Sequence, residues 1–207
     1  MIGSRWQRGA LFAAPGLLLA GFGAVHPAYL DAATAGWWTA LHVVLLPVFP
    51  LLAGAQWLLL ASAPRALRWP GRLAAFAFAA FYGGLDAVAG IAAGTVVHAQ
   101  HGATPVAGAV FGIGDLLGYI GSACFLAACL AIVAAAALRA RWRAVPGAVV
   151  LLLASVSFLD SHIFWPRGVF TMVGVAVGMS VLSLVLPREE RLSATRSHLG
   201  RSRSPAP

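Results

Sequence analysis

Residues 107–138 read AGAVFGIGDLLGYIGSACFLAACLAIVAAAAL, 32 residues with one charged side chain, Asp115. A helix of about 20 apolar residues spans a hydrocarbon core of roughly 30 Å. This run is therefore long enough to cross a bilayer, and must tilt or project beyond it. Five further runs lie on either side, at 9–25, 36–61, 73–97, 147–165 and 168–186. The reading is an all-α integral membrane bundle of six transmembrane helices, occupying residues 1–187 as a single domain.

Composition agrees. Of the 207 residues, 60% are hydrophobic and only 10% charged, whereas a soluble domain carries roughly 25% charged residues. So apolar a chain cannot cover a surface facing water, and lipid removes that requirement. The net charge of +8 comes from fourteen basic residues, all arginine. They sit in short loops and a tail rather than on a folded face, which argues against a nucleic-acid partner. The abundance of Arg, Ala and Gly fits a GC-rich bacterial genome.

Arginine placement sets the orientation. Arg5 and Arg8 precede the first run. Arg65, Arg68 and Arg72 follow the second, Arg139, Arg141 and Arg143 the fourth, and Arg188, Arg191, Arg196, Arg201 and Arg203 the sixth. The alternate loops hold only Arg167. Cytoplasmic loops are the arginine-rich ones, so both termini are expected in the cytoplasm and the chain in the plasma membrane. Trp37, Trp38 and Trp165 fall at outer ends and Trp6, Trp57, Trp69 and Trp142 near inner ends, where aromatic rings favour the interface. The competing reading takes the first run as a signal peptide with an A-x-A site at Ala33-Thr34-Ala35, leaving five spans. The Ser- and Arg-rich tail 188–207 is expected to be disordered, with anionic lipid headgroups as its partner. No internal repeat is evident.

Acids are few, and two lie at mid-depth. Asp86 is roughly 16 Å and Asp115 roughly 12 Å below the outer ends of their runs. Ionisable groups in a membrane are costly and turn toward the bundle interior. At about 100° per residue, Tyr82, Gly83, Ala89 and Gly90 share the face of Asp86, while Gly112, Gly118, Tyr119 and Ser122 share that of Asp115. These mostly small stripes are expected to let the helices meet closely, with the Tyr82 and Tyr119 hydroxyls as hydrogen-bond partners. His42, roughly 9 Å below its outer end, is a third buried group, and Pro47 and Pro50 after it break the helix. These five residues, Asp86, Asp115, His42, Tyr82 and Tyr119, form the candidate proton- or cation-binding set. Toward the outer face lie His26, His98, His101, Asp160 and His162, the candidate metal ligands. Cys124 and Cys129 are five residues apart and read as packing.

His26-Pro27, Leu41-His42, Leu45-Leu46-Pro47-Val48-Phe49-Pro50-Leu51-Leu52 and Phe81-Tyr82-Gly83-Gly84-Leu85-Asp86 resemble a pattern in small, uncharacterised multi-pass membrane proteins of GC-rich bacteria. The resemblance covers the first half of the chain and the stretch 160–168. It implies the fold and carries no activity.

Three functions follow from these residues. The first is a small proton- or cation-coupled transporter working through Asp86, Asp115 and His42. The second is a metal- or haem-binding membrane enzyme using the outer histidines. The third is a non-catalytic membrane subunit or scaffold. No phosphate loop, nucleotide fingerprint, nucleophile elbow or metalloprotease motif is present.

Overall fold

The computed structural model describes residues 4–186. The basic tail 188–207 lies outside them. Helix makes up 84% of the structure and no strand occurs among the described residues, so the fold class is all-α. The helices are α1 (Arg5–Ala24), α2 (Ala35–Leu45), α3 (Val48–Leu59), α4 (Arg65–Leu85), α5 (Ala93–Ala99), α6 (Pro105–Ala140), α7 (Val145–Ser161) and α8 (Arg167–Val185). A π-helical segment, Asp86–Ala92, joins α4 to α5 without a break.

Local chemistry explains the boundaries. Ser4 and Gln7 close a reciprocal capping box at the start of α1, satisfying two donors that the first turn leaves over. Thr104 caps α6, whose first residue is Pro105, a position where the missing N–H costs nothing. The run 36–61 is not one helix. Pro47 has no N–H to continue the ladder, and α2 and α3 part at Leu46-Pro47. The run 107–138 becomes a helix of 36 residues, about 54 Å long. Beyond it Arg141 takes φ 51° and the chain turns back, bringing Phe158 of α7 within 5.3 Å of Phe125 of α6.

Four helical stretches are long and apolar enough to cross a membrane: Ala35–Leu59, Arg65–Ala99, Pro105–Ser161 and Arg167–Val185. The third contains both α6 and α7. Helix α1 is not among the four. Many large apolar side chains point outward, including Leu73, Leu116, Leu138, Leu153 and Phe170. This is compatible with a multi-pass membrane protein.

Lipid tails are as apolar as the core, so helix association in a bilayer rests on close packing rather than on the hydrophobic effect. Glycine supplies the closeness here. Along one seam Gly114 meets Ala89, Gly118 meets Leu85 and Gly121 meets Tyr82. Rising numbers on α6 against falling ones on α4 and the π segment define an antiparallel pair. Likewise Gly16 of α1 abuts Met172 and Ala176 of α8, and Gly178 of α8 abuts Leu151 of α7. Phe78, Tyr82, Phe125 and Phe158 stack where α4, α6 and α7 converge, with ring centroids 4.9–6.2 Å apart.

A Cβ on Gly121 meets the Tyr82 backbone nitrogen at 2.9 Å, whereas Gly112 on the same helix faces open space. Gly121→Val should therefore lower thermal stability in detergent, overpacking typically costing about 1–3 kcal/mol. Gly112→Val should leave the melting temperature unchanged. Equal melting of both variants would contradict this seam.

Candidate functional site

The buried face of α2 carries Trp38, Leu41, His42 and Leu45 and lies against the π segment. The approach is close enough that a Cβ on Gly90 would overlap the His42 ring, and one on Gly94 would overlap Thr39. A π turn shifts the backbone ladder by one residue, which frees a carbonyl. Here the Ala89 carbonyl accepts from the Trp38 indole N–H at 3.1 Å. Asp86 opens the segment. It is fully buried, its Oδ1 lies 4.0 Å from His42 Nε2, and neither carboxylate oxygen has a hydrogen-bond partner. A buried polar group without a partner is costly, which sets Asp86 apart from an ordinary packing residue.

His26 follows α1 and His162 follows α7. Their meeting is set by glycine: a Cβ on Gly23 would overlap the Ile163 carbonyl, and one on Gly168 would sit 2.5 Å from Ile163 Cα. The end of α1 is thereby held against the turn after α7. That turn is unusual, since His162 takes φ 43°, a left-handed conformation that costs a non-glycine residue about 1–3 kcal/mol. Its Nδ1 lies 2.7 Å from the Tyr82 hydroxyl. On the other side, Asp31 Oδ1 accepts from the Ala33 and Thr34 N–H groups at 2.9 Å each. This fixes the α1–α2 loop, and the Thr34 bonds hold the Asp31 carboxyl below its usual range.

One ring nitrogen from each of His26, His42 and His162 lies within 4.8 Å of the other two. Their protonation can be reasoned out. His42 Nδ1 is 2.7 Å from the Trp38 carbonyl and His26 Nδ1 is 2.8 Å from the Pro27 carbonyl. A carbonyl only accepts, so in both rings Nδ1 carries the hydrogen, and the neutral ring presents its Nε2 lone pair. Those two Nε2 atoms face each other at 3.5 Å. Burial, with the neighbouring His42 adding to it, pushes the His26 imidazole down to about 4, so no proton bridges them from His26 at neutral pH. Two lone pairs held face to face are a site for a cation. Tyr82 occupies Nδ1 of His162, leaving its Nε2 to ligate. Backbone or hydroxyl partners on the outer nitrogen are how proteins orient ligating histidines. Trp38 and Phe164 enclose the cluster, with ring centroids 4.8 and 4.6 Å from His26.

A cavity of about 380 Å³ adjoins it. His42, Tyr82 and His162 form one part of its wall, and Asp115, Tyr119 and Asp160 another. Asp115 and Tyr119 are exposed. The buried seam of α6 runs instead through Gly114, Gly118, Gly121 and Phe125. Of the stripe around Asp115, Gly118 and Ser122 turn into the contact face while Gly112, Asp115 and Tyr119 stay outside it, because backbone closeness at the glycines decides which side turns in. Asp160 is exposed and paired with Arg167, at 2.6 and 3.2 Å. His98 and His101 are exposed at the end of α5 and in the turn after it, outside the three-imidazole group. Cys129 is buried against Gln56, whose amide nitrogen lies 3.3 Å from Sγ. Of the residues singled out from sequence, the structure brings together His26, His42, His162, Asp86 and Tyr82. Trp38 and Phe164 joined the site without having been assigned to it. The π segment had no sequence signal.

No known protein family, curated protein or solved structure matches this chain, so the reading rests on the geometry.

The depressed His26 value sets a pH dependence. The unfolded imidazole takes up its proton near 6.5 and the folded one only near 4. The unfolded state therefore binds more protons between these values, and stability falls as pH drops through that window. Melting temperature in detergent should decline from pH 6.5 to 4, and His26→Gln should flatten the decline. Parallel curves for the two proteins would show that His26 is not desolvated.

Proposed function

We propose that this chain is a plasma-membrane protein crossing the bilayer six times, both ends cytoplasmic, with a divalent metal centre at His26, His42 and His162 that serves hydrolysis. The observation that carries the metal reading is the pair of Nε2 lone pairs facing each other at 3.5 Å, with His162 alongside. Six crossings are supported by the antiparallel seams of α1 with α8, α4 with α6 and α7 with α8, and by thirteen of fourteen arginines falling on one side.

Three imidazoles beside a carboxylate suit zinc best. Tetrahedral zinc with bonds of about 2.0–2.1 Å places its nitrogens about 3.3 Å apart. The His26–His42 pair is already near that spacing, and the widest separation, 4.8 Å, needs only a small closure at His162. Haem fits poorly, because three ring nitrogens this close leave no slot for a macrocycle between any two. Three protein ligands would leave one position open, and a zinc ion so held would lower the pKa of bound water to about 7. The protein does the rest. Trp38 and Phe164 exclude bulk water, Tyr82 orients His162, and Asp86 offers unpaired oxygens near His42 Nε2 as the proton acceptor.

The orphaned Asp86 carboxylate also favours a second reading, a cation-coupled carrier. The two readings part on turnover: a carrier moves ions across a proteoliposome membrane, and a hydrolase does not.

Purified protein should bind one zinc or cobalt ion per chain. His26→Ala, His42→Ala and His162→Ala should each weaken binding by 100-fold or more, while His98→Ala and His101→Ala bind as wild type. With both native cysteines replaced, a cysteine at position 101 should label from outside the cell and one at 141 only after permeabilisation. Sub-stoichiometric metal, or equal loss in the His98 and His101 variants, would remove the metal reading. Labelling of both positions from one side would remove the topology.

A further inference from the structure

We infer that the cavity beside the three imidazoles receives the hydrocarbon chain of a membrane amphiphile, admitted sideways from the bilayer between α6 and α7. The inference takes its chemistry from the hydrolytic reading above and supplies the substrate class, an acyl amphiphile with an ester or amide linkage.

The walls carry the argument. Between the polar group of His42, Tyr82 and His162 and the rim at Asp115 and Asp160, the lining is apolar: Leu85, Ala89, Phe111, Phe158 and Leu159. At about 380 Å³ it falls in the size range of small-ligand sites, roughly 300–1,000 Å³. Its exposed lining residues, Asp115 and Tyr119 of α6 and Asp160 of α7, place the mouth between those two helices. They pack together at Phe125 and Phe158, and nearer the outer end both line the cavity. In that stretch of α6, Ile113, Leu116 and Tyr119 are 57, 60 and 65% exposed. So apolar and aromatic an exterior meets hydrocarbon, not water, and what stands at the mouth is an acyl chain.

Position along the helices then orients the guest. Gly118 and Ser122 lie deeper along α6 than Phe111, and Phe164 and Asp160 lie at the outer end. The chain runs down past Gly118 toward Ser122, the linkage sits at His42 and His162, and the headgroup remains at the Asp115 and Asp160 rim. In the reaction water's oxygen bonds to the acyl carbon as the carbon–heteroatom bond breaks. One water proton leaves as that bond forms and is taken up by the leaving heteroatom, giving a carboxylic acid and an alcohol or amine.

Trp38 lines this cavity yet is only 3% exposed, so it reports on a chain inside and not on bulk lipid. A variant keeping Trp38 alone, with Trp6, Trp37, Trp57, Trp69, Trp142 and Trp165 replaced by Phe, is reconstituted in phosphatidylcholine vesicles with ordinary or dibrominated acyl chains. A chelator is present throughout, so the result does not depend on metal binding. Bromine quenches tryptophan on contact, and Trp38 emission should be at least twofold lower in the brominated vesicles. Asp115→Phe, which fills the rim with a bulky ring at an exposed position, should restore it. Equal emission in both vesicles would overturn the inference even where zinc binds normally. Quenching that persists in Asp115→Phe would overturn access between α6 and α7.

Discussion

Two neutral imidazoles present their lone pairs to each other across 3.5 Å, in a place dried by Trp38 and Phe164. In water such a pair would turn away or take up a proton. Here neither escape is open, because the Pro27 and Trp38 carbonyls hold the Nδ1 hydrogens and desolvation keeps His26 from charging. A cation between them would relieve the repulsion, and the neighbouring groups suit one. His162 adds a third nitrogen, Asp86 adds a carboxyl group with no hydrogen-bond partner, and aromatic rings flank the cluster.

The scaffold serves this centre by letting backbones touch. Gly23 lets the end of α1 reach the turn after α7, and Gly90 lets His42 lie on the π segment. Gly114 holds that segment to α6, and Gly118 and Gly121 hold the end of α4 to it. Helices in lipid gain little from excluding water, so each of these approaches depends on dispersion and fit. A methyl group at any of them displaces an imidazole or the helix that carries it. The π turn fits the same logic. The carbonyl it frees, that of Ala89, accepts from the Trp38 indole N–H at 3.1 Å and ties the segment to α2.

Much of this was legible in the residues. Apolar runs gave the helical class, and Pro47 located the break between α2 and α3. Asp86 and His42 were singled out because ionisable groups at mid-depth must turn inward. Other parts were not legible. His26, His42 and His162 were divided between a metal set and a proton set, because sequence spacing does not show that the ends of α1 and α7 meet. The helical wheel centred on Asp115 presumed that the acid chooses the inner face, whereas the glycines choose it and leave Asp115 at a cavity rim. His98-x-x-His101 has ligand-like spacing but sits exposed at a helix end. The π segment has no periodic signature, so the bond from Trp38 to its Ala89 carbonyl was invisible.

The central claim is that three imidazoles share one ion, and X-ray absorption at the zinc edge reads the ligand shell directly. Zinc-loaded protein should show three nitrogen scatterers with imidazole outer-shell features at about 2.0–2.1 Å and one further light atom. A shell with sulfur at about 2.3 Å, or one made of oxygens alone, would contradict it.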